Sequence, residues 1–306
     1  MSKTVVYFDP SINGLGDCII GCVSAFVLSQ VLEAEFRILN GSIKFFNFFN
    51  IPDMHRAETF PNDTIKIEYW ADKSGQTSFW MKENVDQLKG RSICIRSCQN
   101  FGKFLFRDSR YSHLLRVPET EIINHLFSKI LIPHDRVQEK FAQLYSELKM
   151  SEAICVHIRC DDVWGDSNSG ECRFKVNETI DRFIECIRQI GNNRIILVTD
   201  NLERVDAIFK ARGVAGFAIS GKASHSSKSE VDYDKTILDL LTIGACKEAV
   251  ISYWSNFSRI GVLRTLLRPW IVQVLKTNNL VNFDFNIQLD NPFRKAELAE
   301  LLSKEK

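Results

Sequence analysis

The sequence predicts an α/β protein of two lobes with mostly parallel sheets, and three observations carry that prediction. Short β-branched runs, Ala153–Val156 and Arg194–Asp200 among them, alternate with stretches of helical spacing such as Val176–Ile190. Strands that alternate with helices join in parallel through right-handed crossovers. The chain has 306 residues, 45% of them hydrophobic, enough to bury two ordinary α/β cores. A break between Pro133 and Ser151 then places an N-terminal lobe over residues 1–140, a C-terminal lobe over 141–290 and a charged helix at 291–306.

In the first half, Thr4–Phe8 reads as a strand. It runs into the loop Asp9–Asp17, and Cys18–Leu32 follows as a mostly apolar helix. Gly14 and Gly16 let the backbone turn tightly and let a ligand approach the helix N-terminus, where the dipole favours anions. Asp17 is the expected N-cap. The same residues also suit a plain βα turn with a helix cap, since the third glycine of a dinucleotide fingerprint and a phosphate-loop lysine are both missing. Phe36–Leu39, Ile65–Trp70 and Ser92–Ser97 read as strands. The aromatic stretch Phe45–Phe49 is expected in a core, or else between the lobes or along an apolar groove. Phe101–Arg116 mixes aromatic and basic residues and reads equally as a helix or as a surface for a polar, ring-bearing ligand, a candidate acceptor wall. Helices are expected over Glu119–Ile132 and His134–Met150, separated by Pro133.

The second half opens on EAICVHIRCDDVWG, Glu152–Gly165. Its apolar run suits a buried parallel strand that delivers His157 and Arg159, on one face, to the carboxyl end of a sheet, where open α/β folds bind ligands. A guanidinium there presents a rigid fork of donors that suits a phosphate or pyrophosphate. An ion pair of Arg159 with Asp161 or Asp162 accounts for the same residues equally well. Helix Val176–Ile190 is amphipathic, with Ile180, Phe183, Ile184 and Ile187 on one stripe. Next come strand Arg194–Asp200, which ends in an acid, helix Glu203–Arg212, strand Gly216–Ser220 and the polar loop Gly221–Ser229. Helix Lys235–Cys246 carries Asp239 among leucines and isoleucines, and an acid so placed needs a partner. Strand Ala249–Tyr253, the polar break Trp254–Ser258 and helix Arg259–Leu267 make a second anion cradle. Strand Pro269–Leu275 and helix Asn291–Lys306 complete the order.

Lys and Arg number 39 against 38 Asp and Glu, so bulk electrostatics give no hold on nucleic acid and any anion must be bound locally. No stretch approaches the roughly 18 consecutive apolar residues of a membrane span. The start lacks the apolar core of a secretory signal, which makes a cytoplasmic protein the expectation. The nine cysteines lack the spacing of zinc knuckles or redox motifs and are expected to be reduced, mostly buried thiols.

Three segments taken in order are more specific than any one of them. VHIRCDD at Val156–Asp162, TILDLLTIGACKEAVIS at Thr236–Ser252 and YWSNFSRIG at Tyr253–Gly261 resemble the three motif regions shared by α1,6-fucosyltransferases, protein O-fucosyltransferases and their relatives. GLGDC at Gly14–Cys18 is similar to the start of the bacterial nodulation fucosyltransferases. The resemblance implies a GT-B-like fold, two Rossmann-like lobes facing a cleft, and an inverting glycosyltransferase of glycan biosynthesis. It would need no metal and no cofactor, taking GDP-fucose as donor and a glycan or glycoconjugate hydroxyl as acceptor. It further implies Arg159 on the β-phosphate in place of a cation, with His157 supporting it or touching the nucleoside. Asp239 would take the guanine edge. Ser255, Asn256 and Phe257 would hold phosphate oxygens and pack on the base or ribose, and Gly14, Gly16 and Asp17 would close over the pyrophosphate. The base is expected to be Asp166, with Asp162 and Asp161 as alternates. Where many α1,6 enzymes carry a second basic residue after the motif arginine, this chain has Cys160, so another sugar nucleotide such as UDP-xylose is the alternative donor. A nucleotide-binding scaffold without turnover is the alternative of another class.

Overall fold

A computed structural model describes residues 3–10, 14–41, 44–69, 85–97, 119–159, 176–191, 194–221, 231–252, 255–265 and 270–272. The chain divides into two compact units, Met1–His134 and Asp135–Lys306. Three of the expected features, the acceptor wall Phe101–Arg116, the acids Asp161, Asp162 and Asp166, and the helix Asn291–Lys306, lie outside the described residues.

In the first unit, β1 (Val5–Phe8) leads through α1 (Leu15–Val31) to β2 (Glu35–Leu39), the single turn α2 (Phe45–Phe48), β3 (Phe49–Asn50) and β4 (Arg56–Ala57). Strands β5 (Ile65–Tyr69) and β6 (Ser92–Ser97), helix α3 (Glu119–Lys129) and β7 (Ile132–Pro133) follow. Five strands form a parallel sheet in the order β4-β2-β1-β6-β5. Strand β3 pairs antiparallel with β7, so Pro133 sits in a strand and not simply between helices. Helix α1 is buried on most of its surface. It can lie against β6 because residue 21 is glycine: a Cβ there would stand 1.8 Å from the Ser97 carbonyl oxygen.

One expectation, the cap of α1, is corrected here, and another, the aromatic core, is met. Helix α1 begins at Leu15, with Gly14 at the N-cap and no side-chain cap, so Asp17 is not the cap. It lies within the first turn, where its charge still opposes the positive end of the helix dipole. Phe45, Phe48 and Phe49 are fully buried core residues of the first unit. Phe45 and Phe49 have ring centroids 5.1 Å apart, and Phe49 meets Phe127 of α3 edge-on at 5.9 Å.

The second unit opens with α4 (Asp135–Glu147) and continues through β8 (Ile154–Ile158), α5 (Val176–Ile190), β9 (Ile195–Thr199), α6 (Leu202–Ala211) and β10 (Phe217–Ala218). It ends, among the described residues, with α7 (Tyr233–Ala245), β11 (Glu248–Ser252), α8 (Asn256–Leu263) and β12 (Trp270–Val272). All five strands run parallel in the order β10-β9-β8-β11-β12. Strand alternation divides β8 between two cores. Ile154, Val156 and Ile158 join Ile180, Phe183, Ile184 and Ile187 of α5 and Val205 and Phe209 of α6 in one apolar cluster. Each such side chain contributes about 1.5–3 kcal/mol through burial. Cys155 and His157 take the opposite face, beside Cys246 at the end of α7 and Phe257 in α8. From β8 the chain steps one way, to β9 and β10, and then returns to β11 on the other flank of β8. The strand order therefore reverses between β8 and β11, and in open α/β sheets such a switch point is where ligands bind.

Candidate functional site

The carboxyl ends of β8, β9 and β11 bring the predicted residues of the second unit together. The β8–β11 register pairs His157 with Ile251, so Ser252 lies beside the end of β8. Its hydroxyl donates to the His157 carbonyl at 3.2 Å and accepts the Arg159 amide at 3.4 Å. This bridge holds the two strand ends together just where the ladder stops. On the other flank Ile158 pairs with Thr199, which puts Asp200 next to Arg159.

Arg159 Nε stands 3.3 Å from Asp200 Oδ2. The arginine is thus in an ion pair, with Asp200 as a partner that was not expected; the expected partners Asp161 and Asp162 lie outside the described residues. The carboxylate is nearly buried, at 8% exposure, while the arginine side chain keeps 20%, so a ligand can still reach it. Sequence reading recorded Asp200 only as the acid that ends a strand. Two adjacent parallel strands that end in opposite charges were the available signal.

His157 is buried, and among the described residues its Nδ1 has no hydrogen-bond partner. Burial, reinforced by the Arg159 charge, pushes its pKa down to about 3, so the imidazole is neutral at pH 7. Its ring lies 5.8 Å from that of Phe257. Phe257 stands in the first turn of α8, which begins at Asn256, earlier than the expected Arg259. Ser255 is the N-cap and its hydroxyl accepts the Ser258 amide at 3.5 Å. Asn256 is tied to Arg259 of the next turn at 3.2 Å. The N-terminus of α8 therefore stands at the carboxyl end of β11, at the switch point, with Phe257 beside His157.

Asp239 has the partner its surroundings demand. It is buried in α7 and forms an ion pair with Lys235, one turn earlier, whose ammonium donates to both carboxylate oxygens. Burial pushes the Asp239 carboxyl up to about 6 against the opposing pull of Lys235. Lys235 was missed, although its spacing of four from Asp239 on a helix is the ordinary one for such a pair.

Gly14, Gly16 and Asp17 belong to the first unit, at the carboxyl end of β1. Its strand order also reverses, between β1 and β6, where the Asp9 amide donates to the Ile95 carbonyl at 2.8 Å. Arg96 of β6 clasps the Asp9 carboxylate at 2.6 Å and reaches Glu68 at 3.1 Å. The six described cysteines are buried thiols outside any disulfide, as expected. Among the described residues no cluster of His, Cys, Asp and Glu is arranged to hold a metal, and no helix is long and apolar enough to cross a membrane.

A parallel sheet with an arginine and a helix N-terminus at its switch point defines an open α/β protein whose strand ends gather positive charge. The sequence matches no family model and no curated protein. Solved structures place the fold more narrowly. The chain is similar to Arabidopsis thaliana FUT1, a point mutant in complex with GDP, at 13% identity and a TM-score of 0.68 over 90% of this chain and 72% of that one. It is similar to NodZ, an alpha-1,6-fucosyltransferase soaked with GDP-fucose, at 14% identity and a TM-score of 0.55 over 87% of this chain and 94% of that one; a NodZ structure from Bradyrhizobium gives 15% and 0.54. POFUT1 in complex with GDP-fucose gives 12% and 0.50, over 89% and 98%. The protein has a fucosyltransferase-like fold.

Proposed function

We propose that the protein is an inverting glycosyltransferase that moves L-fucose from GDP-fucose to a hydroxyl of a glycan or glycoconjugate without a metal ion. The observation that carries this reading is Arg159. It stands at the switch point, braced by Asp200, accessible, and next to the N-terminus of α8. The proteins of similar fold bind GDP or GDP-fucose.

In this reading the diphosphate of the donor lies between Arg159 and the α8 amides, with Ser255 and Asn256 on its oxygens. An acceptor hydroxyl attacks the anomeric carbon from the side opposite the diphosphate. As the new C–O bond forms, the bond to the diphosphate breaks, and Arg159 takes up the charge that develops on the departing GDP. The hydroxyl proton passes to a carboxylate, Asp166 or its alternates Asp161 and Asp162. Phe257 and neutral His157 would flank the nucleoside, and Asp239 would accept from the two adjacent N–H donors of guanine. Gly14, Gly16 and Asp17, at the start of α1 in the first unit, would be further contacts for an anion.

Thermal unfolding with GDP, UDP and their sugars tests the donor, since a ligand of the native state raises Tm. GDP and GDP-fucose should raise it in the presence of chelator. A rise with UDP or UDP-xylose alone reassigns the donor, and binding without turnover over a panel of glycan acceptors favours the scaffold.

A further inference from the structure

We propose that Lys235 is a positioning residue for the nucleotide base: it keeps the Asp239 carboxylate ionised and oriented, so that the Lys235–Asp239 pair is the unit a base meets. The inference rests on the reading of Asp239 as the base-binding acid. Its starting point is that both side chains of the pair are only 5% exposed.

A buried ion pair is weak evidence for stability, because apolar residues of the same volume fill such a space as well or better. This pair therefore asks for another explanation. An ionised carboxylate offers about four lone-pair sites, two on each oxygen. The Lys235 ammonium takes one on each oxygen, which leaves one on each. Two remaining acceptors side by side are what a base edge with two adjacent N–H donors requires. A carboxylic acid in the same place is a donor at one oxygen and loses that match.

The pair is held from several sides. The Asp232 carboxylate caps α7 through the Lys235 amide at 2.9 Å. Gly221, at φ +124°, comes so close that a Cβ on it would stand 3.1 Å from the Lys235 stem. The other ionisable groups around α7 leave Lys235 as the cation bonded to Asp239. Asp232, on the helix's own first turn, raises the Asp239 pKa. Cys155 of β8, hydrogen-bonded to Cys246, feels both members of the pair, and burial holds its thiol protonated. From α4, Arg136 is engaged with Asp234 at 2.8 Å. From α8, Arg264 reaches the Leu241 carbonyl at 3.1 Å.

Calorimetric titration with GDP from pH 5 to 8 on the full chain tests this, comparing wild type with Lys235→Met, Lys235→Arg and Asp239→Asn. Lys235→Met should weaken GDP binding at pH 7 about ten- to a hundredfold, the loss of a charge-assisted contact. It should also move the pH at which binding fails upward by about one unit or more, because the cation that lowers the Asp239 pKa is gone. Lys235→Arg should stay near wild type in both respects. The phosphate titration of GDP is common to all variants and cancels from the comparison. Should Lys235→Met fail to fold, Lys235→Gln takes its place, with the same loss of affinity and the same upward shift expected relative to wild type. Asp239→Asn binding GDP like wild type overturns the base reading. A weak Asp239→Asn beside a Lys235→Met (or Lys235→Gln) with unchanged affinity and pH midpoint overturns the role of Lys235. A wild type that takes up no GDP overturns both.

Discussion

Arg159 and Asp200 leave adjacent parallel strands at the same level, and their side chains meet at 3.3 Å, with the acid nearly buried and the base reachable. The pairing fixes a guanidinium that would otherwise lose rotamer freedom on meeting a diphosphate, and fixed charge is what a developing anion rewards.

Arg159→Ala should lower kcat for fucosyl transfer by about 100- to 1000-fold, the usual cost of losing a donor to a developing anion. Asp200→Asn keeps the shape but weakens the brace, and should lower kcat/KM by about tenfold with little change in Tm. Steady-state kinetics with GDP-fucose and a thermal melt decide it. Full transfer in Arg159→Ala sinks the mechanism.

His157 carries a stability signature. Its pKa falls from 6.5 unfolded to about 3 folded, so its contribution is fully present above pH 6.5 and is lost as the pH falls toward 3. The stability of wild type relative to His157→Gln should thus drop by about 1.4 kcal/mol per pH unit below pH 6.5. Asp239, raised from 3.8 to about 6, acts in the opposite sense: its ionisation cost disappears as the pH falls from 6 to 3.8. Only the difference between variants isolates the histidine. Urea unfolding at several pH values measures it, and a difference that does not change with pH counts against a buried neutral imidazole.

Helices α7 and α8 touch through glycines. A Cβ on Gly244 would stand 2.3 Å from the Gly261 carbonyl oxygen, so Gly244→Ala must push α8 away and should cost about 1–3 kcal/mol, seen as a lower Tm. Since α8 also carries Ser255, GDP affinity should fall with it. An unchanged melt would show that the helices do not pack this closely.

Arg264 caps the end of α8 with its Nε buried and, among the described residues, unpartnered, and burial holds its pKa down to about 10. The last turn of α7, whose carbonyls carry negative dipole charge, gives partial compensation. Arg264→Met should therefore leave the protein within about 1 kcal/mol of wild type, or make it more stable. A loss well beyond that in denaturant titration would point to an unseen anionic partner.

Sequence alone settled what local chemistry can settle. Period-two and helical spacing located the α/β elements, and the β-branched run before His157 and Arg159 placed them on one face at a strand end, because a buried parallel strand admits little else. The need of Asp239 for a partner was equally legible, since an acid among leucines cannot remain alone. Strand order was not legible: nothing local states that β11 returns to the far flank of β8, and it is this reversal that gathers Arg159, Ser252 and the α8 N-terminus. Nor was the partner of Arg159, because the 40 positions between it and Asp200 hide a neighbour created by strand pairing. The aromatic run Phe45–Phe49 was legible as core from its composition, and packing decided which rings, Phe45, Phe48 and Phe49, are the buried ones. Side-chain type and period are properties of neighbours in the chain, whereas a site is a property of neighbours in space, and only the folded sheet converts one into the other.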